Sequence, residues 1–133
     1  MVVDASIMLS RPLGESNPTA ELALTRLQTE QAFAPALWWF EVRNGLVVNE
    51  RRGRLTEQKS VEFLNDLLQL DIAIDRSPDE VSIMALARRH RLSVYDAAYL
   101  ELALRERVPL ATLDAALADA GRREGVPVLG DGV

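Results

Sequence analysis

Short apolar runs alternate with longer segments of helical spacing along the 133-residue chain. The apolar runs have the length and composition of buried strands, and the segments between them are long enough for helices. Strands that alternate with helices in this way form a parallel sheet that helices cover on both faces. We therefore expect one α/β domain over residues 1–133, a three-layer sandwich with a mostly parallel central sheet of four to five strands.

The predicted strands share a short apolar run that ends at a polar or turn-forming residue. They cover residues 1–4, 32–34, 71–75 and 108–111. A fifth strand over 126–129 is expected at the edge of the sheet, because proline is tolerated in edge strands.

Helix start and stop signals lie between the predicted strands. Asn17 and Pro18 give an N-cap and a proline at position N1, so a loop over 5–16 should lead into the first helix. A long helix is expected over about 36–52, and Gly53 is placed to end it.

Two capping boxes predict the starts of later helices, because in each a serine is followed three residues on by an acid. Ser77 and Glu80 form the first, with a proline directly after the serine, and Ser93 and Asp96 form the second. The last helix is expected over 114–120, ended by the glycine that follows it.

Several functional classes are excluded or disfavoured by composition. The absence of cysteine excludes a disulfide framework, a thiolate zinc site and a cysteine nucleophile. With His90 as the one histidine and no glycine-rich phosphate loop, neither a catalytic triad nor nucleotide hydrolysis is favoured. The chain shows no signal-peptide pattern and no long apolar run, so we expect a cytoplasmic protein without a membrane segment.

The formal net charge of −5 argues at first against a nucleic-acid partner, since phosphate binding normally requires a basic surface. If four acids were neutralised by bound cations, however, the remaining surface would be nearly balanced. The basic residues are almost all arginine, whose fork suits phosphate contact, and they cluster in 51–54, 88–91 and 122–123. Such clusters are more typical of solvated helix ends, so charge alone leaves RNA binding open.

Four acids fall where the predicted sheet would bring them together. Asp4 ends the first strand and Asp114 follows the fourth, so both should face the carboxyl edge, where open α/β sheets bind ligands. Glu41 lies early in the helix after the second strand, and Asp96 opens the helix before the fourth. Such a cluster suits a hard divalent cation, either Mg2+ or Mn2+.

Each acid also has a structural interpretation, which is favoured when the acid is taken singly. Asp96 could serve only its capping box, and Asp114 could stabilise a helix start through the helix dipole. Glu41 is harder to explain, because it lies within the apolar stretch 37–42, where a carboxylate needs a partner. Asn44, one turn further on, would share its helix face and could orient it.

Four motifs in this order resemble those of the PIN domain family, and in particular its VapC-like toxins. The match covers nearly the whole chain, and the third motif is the most specific. The motifs are Val2-Val3-Asp4-Ala5-Ser6, Glu41-Val42-Arg43-Asn44, Tyr95-Asp96-Ala97-Ala98-Tyr99-Leu100-Glu101-Leu102-Ala103 and Thr112-Leu113-Asp114-Ala115-Ala116-Leu117.

This resemblance implies a PIN-like fold and a metal-dependent endoribonuclease in which the four acids are catalytic. Asp4 and Asp96 would hold the main Mg2+ ion, for which Mn2+ can substitute. Glu41 and Asp114 would bind that ion through water or hold a second one.

The resemblance also implies residues that support the acids. Ser6 and Thr112 would orient carboxylates or waters, although Ser6 could instead cap the turn after the first strand. A further acid after the fourth motif is missing unless Asp119 takes its place, so the number of ions stays open.

A VapC-like protein would act on RNA such as tRNA or rRNA, form a homodimer, and be inhibited by a small antitoxin whose tail covers the acidic site. Trp38, Trp39 and Phe40 directly precede Glu41 on one helix. Since consecutive helical positions diverge by about 100°, at least one of them should reach the surface. Trp38 or Trp39 would there anchor an antitoxin side chain, unless the aromatic residues pack a dimer interface or the core.

Two alternatives stay open. A PIN nuclease could act in RNA maturation without an antitoxin. A receiver-like signalling or interaction domain also has an acidic Mg2+ pocket, but it needs a lysine after a late strand, and Lys59 lies within a predicted helix.

Overall fold

The computed structural model describes residues 1–132, which form seven helices and a four-stranded sheet. The elements in chain order are β1 (Val2–Val3), α1 (Ala5–Ser10), α2 (Pro18–Leu27), β2 (Ala32–Pro35), α3 (Leu37–Arg51), α4 (Glu57–Leu67), β3 (Ile72–Asp75), α5 (Glu80–His90), α6 (Val94–Glu106), β4 (Leu110–Ala111) and α7 (Ala115–Arg123).

The sheet is parallel throughout, with the strand order β3-β2-β1-β4. In β1, Val2 pairs with Phe33 of β2 on one side and with Leu110 of β4 on the other. The carboxyl end of β1 therefore lies inside the sheet, between two neighbouring strands, and Asp4 follows directly after it. The predicted α/β architecture with a parallel sheet is confirmed.

The predicted fifth strand is reduced to a single parallel bridge between Leu110 and Val128. The backbone N–H of Leu110 donates to the carbonyl of Pro127 (2.9 Å), and the carbonyl of Leu110 accepts from the N–H of Leu129 (2.9 Å). The pairing extends no further because Pro127 has no N–H to donate and the chain turns at Gly130, whose φ is +104°. The sequence prediction was therefore too long at this edge.

The prediction of a loop over 5–16 was wrong at its start, where the chain forms α1. Asp4 has an extended backbone, and its Oδ1 accepts the N–H of Ile7 (3.3 Å), so Asp4 is the N-cap of this helix. Ile7 and Met8 are buried in the core. The helix has only six residues, too few for a helical period to be visible in the sequence.

Other predicted helix ends are confirmed. The side chain of Asn17 accepts the N–H of Thr19 (2.9 Å), and the hydroxyl of Ser93 accepts the N–H of Asp96 (3.1 Å). Gly53 follows α3 with a φ of +72°, the left-handed conformation that favours glycine. Local capping chemistry thus positions the starts of α2 and α6.

The predicted capping box at Ser77 was wrong, since α5 begins only after Asp79. The N–H of Ser77 instead donates to Asp75 (3.3 Å), which forms a turn directly after β3. The N–H of Asp79 donates to the buried carboxylate of Glu101 (3.0 Å), so an acid from another helix replaces the local cap.

The prediction that Gly121 ends the last helix was also wrong. α7 continues to Arg123, and the chain turns at Gly125, whose φ is +76°. Gly121 lies inside the helix against β4, where an added Cβ would stand 3.3 Å from Cδ2 of Leu110. Glycine is therefore used here for close packing of a helix on the sheet.

α6 is the central helix, in contact with β1, β2 and β4 of the sheet and with α5 and α7. Its residues Ala97, Leu100 and Ala103 are buried in the core, whereas Asp96 in its first turn is half-buried. Among residues 1–132, every helix is too short or too polar to cross a membrane.

Candidate active site

Asp4 directly follows β1 and is only 7% exposed. Its carboxylate oxygens accept hydrogen bonds from the hydroxyls of Ser6 (2.5 Å) and Thr112, in addition to the N–H of Ile7. Burial raises the pKa of the Asp4 carboxyl, and the two hydroxyl donors offset part of that rise. A carboxylate in this position is fixed in orientation and costly to keep charged without a cation nearby.

The same two hydroxyls connect Asp4 to the segment after β4. Ser6 Oγ accepts the N–H of Leu113 (3.1 Å), and Thr112 Oγ1 accepts the N–H of Asp114 (3.0 Å). Each hydroxyl therefore donates to the carboxylate and accepts from the backbone. This pattern places Asp4 and Asp114 at the same edge of the sheet.

Asp114 is exposed and is the N-cap of α7, where its Oδ1 accepts the N–H of Leu117 (2.9 Å). Asp114 thus has the structural role at the start of a helix that the sequence indicated. A carboxylate has more lone pairs than one cap uses, so Asp114 can still bind a cation.

Glu41 lies in α3 and is half-buried, and its Oε1 accepts the hydroxyl hydrogen of Tyr99 (2.5 Å). Burial raises the pKa of Glu41, the hydrogen bond from Tyr99 lowers it, and the negative charges of Asp4 and Asp96 raise it further. These repulsions place Asp4 and Asp96 within electrostatic reach of Glu41.

Asp96 lies in the first turn of α6, beside its N-cap Ser93. Burial raises the pKa of Asp96, and the negative charge of Asp114 raises it further. Asp114 therefore lies within electrostatic reach of Asp96. We call Asp4, Glu41, Asp96 and Asp114 together the acidic edge.

The acidic edge offers only carboxylate oxygens, which are the ligands that hard divalent cations prefer. None of the ion pairs among residues 1–132 involves any of its four acids. The same residues contain no group of three or more acidic, histidine or cysteine side chains already arranged to hold a metal ion. The donor chemistry thus fits Mg2+ or Mn2+, but side chains must rotate before three carboxylates can share one ion.

Tyr99 is a site residue that the sequence reasoning did not single out, although it stands in the third motif. It is buried, and burial together with the negative charge of Glu41 raises its pKa well above the ordinary value, so the phenol stays protonated and donates. A signal existed, because Tyr99 lies three residues after Asp96 and therefore on the same face of α6.

Two supporting residues lie away from their predicted positions. Asn44 is exposed, and the carboxylate of Glu41 is held by Tyr99 rather than by the Asn44 amide. Asp119 is exposed on α7, where it pairs with Arg123 (3.1 Å).

The aromatic residues before Glu41 divide between core and surface. Trp38 is 4% exposed, so of the two anchors expected from the sequence it is not available at the surface and takes the alternative role of packing in the core. It lies one turn before the buried Val42, on the core face of α3. Trp39 and Phe40 are 47% and 68% exposed and pack edge to face at 5.0 Å between ring centres. The guanidinium of Arg43 lies 3.8 Å over the Trp39 ring.

Comparisons with known proteins agree with this fold. The PIN domain family matches residues 1–123. Ribonuclease VapC3 of Pyrobaculum aerophilum is 36% identical to this chain over 107 residues, which cover 77% of this chain and 80% of that protein.

Two solved structures have the same fold. PAE2754 from Pyrobaculum aerophilum has a TM-score of 0.70 and 21% identity, covering 90% of this chain and 82% of its own. FitAcB from Neisseria gonorrhoeae has a TM-score of 0.65 and 20% identity, covering 97% of this chain and 96% of its own. At such identities these likenesses concern the fold alone, whereas the family match and the VapC3 identity go further: the chain belongs to the PIN domain family, among its VapC-like members.

Proposed function

We propose that this protein is a metal-dependent endoribonuclease and the toxin of a toxin–antitoxin pair. The observation that carries the proposal is the acidic edge, in which burial and, beside it, the negative charges of neighbouring carboxylates raise the pKa values of Glu41 and Asp96. Such repulsion is relieved when a cation binds. The identity to ribonuclease VapC3 supports RNA as the substrate.

The acids of this edge would hold Mg2+ or Mn2+, with Asp4 and Asp96 as the main ligands and with Glu41 and Asp114 acting through water or on a second ion. Bound there, a divalent ion supplies an activated water and stabilises the negative charge of the phosphate and the leaving group. Without the ion, the same carboxylates repel the RNA backbone.

The surrounding residues keep the carboxylates in place for this role. Ser6 and Thr112 fix the two oxygens of Asp4. Because Oδ1 also accepts the N–H of Ile7, the lone pair left for a cation is on Oδ2. Tyr99 fixes one oxygen of Glu41 and leaves the other free to accept from water or to bind an ion. Hydrogen bonds of this kind orient metal-binding side chains and reduce the reorganisation that binding requires.

The antitoxin would bind beside this edge, at Trp39 and Phe40. Both rings are exposed and directly precede Glu41 in the chain, so an apolar antitoxin side chain can pack on them while an arginine approaches the carboxylates. A homodimer is part of the same proposal. A receiver-like signalling domain is disfavoured, because Lys59 lies exposed on α4.

Cleavage is tested with purified protein, tRNA and rRNA fragments, and Mg2+ or Mn2+. We expect cleavage that stops in excess EDTA and that Asp96→Asn abolishes. Asp66→Asn, a matched change of an exposed acid on α4, should leave cleavage unaltered. Undiminished cleavage in excess EDTA would show that the mechanism is not metal-dependent.

The partner is tested by Trp39→Ala, with antitoxin affinity, dimer mass and cleavage measured on one preparation. The candidate antitoxin is a short protein encoded by the preceding reading frame, with a DNA-binding start and a polar tail. We expect weaker antitoxin binding with dimer and cleavage retained. If cleavage is confirmed but no such neighbouring protein exists or binds, the alternative of RNA maturation without an antitoxin is favoured.

A further inference from the structure

The turn between α3 and α4 carries three arginines, Arg51, Arg52 and Arg54, which we call the basic turn. All three are exposed, and in the part of the chain that the structure describes no ion pair includes any of them. The nearest acids in the sequence, Glu50 and Glu57, line the groove between α3 and α4, whereas the arginines do not. The basic turn is therefore a patch of uncompensated positive charge in a chain whose net charge is −5.

Hydrogen bonds fix the backbone of the basic turn. The N–H groups of Arg54 (2.9 Å) and Leu55 (3.3 Å) both donate to the carbonyl of Asn49, whose side-chain amide donates to the carbonyl of Gly45 (2.7 Å). Leu55 is buried in the core. Only the arginine side chains would have to become ordered when an anion binds, which lowers the entropic cost of binding.

One exposed face of α3 connects the basic turn to the acidic edge. The exposed residues Phe40, Asn44, Val47 and Arg51 follow one another at intervals of four, three and four residues, so they lie on the same side of the helix. Phe40 directly precedes Glu41 of the acidic edge. At a rise of 1.5 Å per residue, Arg51 lies about 16 Å further along the helix axis than Phe40.

A structural role explains part of the basic turn. Cations in the last turn of a helix interact favourably with the negative end of its dipole, and this effect falls off beyond that turn. Arg51 is the last residue of α3 and Arg52 is its C-cap, so both have such a position. Arg54 lies beyond the helix and is not explained in this way.

We propose that the basic turn binds phosphates of the RNA substrate several nucleotides away from the cleaved bond, so that the RNA strand lies along the exposed face of α3. This inference rests on the proposed ribonuclease function. The planar fork of arginine binds phosphate oxygens in pairs. Phosphate contacts supply affinity that does not depend on sequence, and they fix the position of the nucleic acid on the protein. Positive charge at this distance would offset the repulsion between the RNA backbone and the acidic edge.

The test compares the parent with the triple variant Arg51→Gln, Arg52→Gln, Arg54→Gln, which removes the charges and keeps long side chains. The substrates are RNA fragments with one cut site, lengthened by one nucleotide at a time on either side of the cut, in Mg2+ or Mn2+. We expect equal cleavage of the shortest fragments, which do not reach the basic turn. Beyond a threshold length on one side, the KM of the variant should be about tenfold higher with kcat unchanged.

The salt dependence of KM gives a second measurement. On a single strand each phosphate contact contributes about 0.7 to the slope of log affinity against log salt concentration. With the long fragments, the slope of the triple variant should therefore be smaller than that of the parent by about 2. Arg54→Gln alone, which changes no residue of α3, should lower the slope by about 0.7 and serves if the triple variant unfolds.

The matched control is the triple variant Arg88→Gln, Arg91→Gln, Arg107→Gln. It removes the same charge from exposed arginines at the ends of α5 and α6 that also take part in no described ion pair, and it should behave as the parent at every length. An equal effect of the control, or an effect of the basic-turn variant that does not depend on RNA length, would overturn the inference. So would unchanged cleavage with weaker antitoxin binding, which would assign the basic turn to the antitoxin. A parent protein that cuts no RNA would overturn the proposed function as well.

Discussion

Replacing Asp4 by alanine or by asparagine separates its structural role from its chemical role. Asp4→Ala removes the N-cap of α1, at a cost of about 0.5–2 kcal/mol. It also leaves the buried Thr112 hydroxyl without its acceptor, which costs about 1–3 kcal/mol. The two losses share one side chain and overlap in part, so we expect the free energy of unfolding to fall by about 2–4 kcal/mol.

Asp4→Asn keeps an oxygen for the cap and an amide that donates to Thr112, and it removes a charge that burial disfavours. Its free energy of unfolding should stay within about 1 kcal/mol of the parent value. Both variants should lose metal-dependent cleavage, because neither retains a carboxylate.

Urea unfolding in EDTA, followed by circular dichroism, measures the difference without contributions from metal binding. For a slope of about 2 kcal/mol per molar urea, the midpoint of Asp4→Ala should fall by about 1–2 M while that of Asp4→Asn stays near the parent. Equal midpoints for Asp4→Ala and the parent would refute the argument that Asp4 holds α1 and the end of β4 together. Full cleavage by Asp4→Asn would remove Asp4 from the proposed metal ligands.

Three further outcomes follow from single contacts. Tyr99→Phe removes the donor to Glu41 and should lower cleavage by about 10- to 100-fold with little change in melting temperature; a wild-type rate would show that Glu41 needs no such support. Arg105 holds the pKa of Asp75 below its ordinary value of 3.8, so this pair stabilises the fold above that pH and the contribution is lost as pH falls through the lowered pKa. Asp75→Asn should therefore reduce the loss of stability below pH 4 in urea titrations. If the variant and the parent lose the same free energy of unfolding below pH 4, the Arg105–Asp75 pair is not the source of that loss. Gly45→Ala would place a Cβ 2.3 Å from a methyl carbon of Leu9. This overlap should lower the free energy of unfolding by about 1–3 kcal/mol. A variant more stable than the parent would show that the Leu9 side chain can move away.

The order of strands and helices could be predicted from the sequence because hydrophobic periodicity and caps such as Asn17 and Ser93 are local signals. The helix ends that were predicted wrongly depend on residues that are distant in the sequence. The start of α5 is held by Glu101 from another helix, and Gly121 is explained by its contact with Leu110 of β4. Neither partner can be identified from neighbouring residues.

The positions of the four acids near one edge also followed from strand order, but their surroundings did not. Asp4 appeared in the sequence as an acid after a strand, whereas the structure adds a helix cap and two hydroxyl donors. Trp38 and Trp39 are adjacent and chemically identical, and only the orientation of α3 decides which is buried. Such distinctions require the packing of one element on another.

The hydrogen bond between Thr112 and Asp4 joins residues 108 positions apart. A ribosome releases the amino end first, at about 5–20 residues per second, so Asp4 waits for most of the chain before its partner emerges. β1 likewise cannot form its pairing with β4 until β4 has been synthesised. For the proposed ribonuclease, this order of synthesis means that the acidic edge cannot be completed until most of the chain has been translated. The ribosome and the tRNAs that make the protein would therefore meet a complete acidic edge only at the end of synthesis.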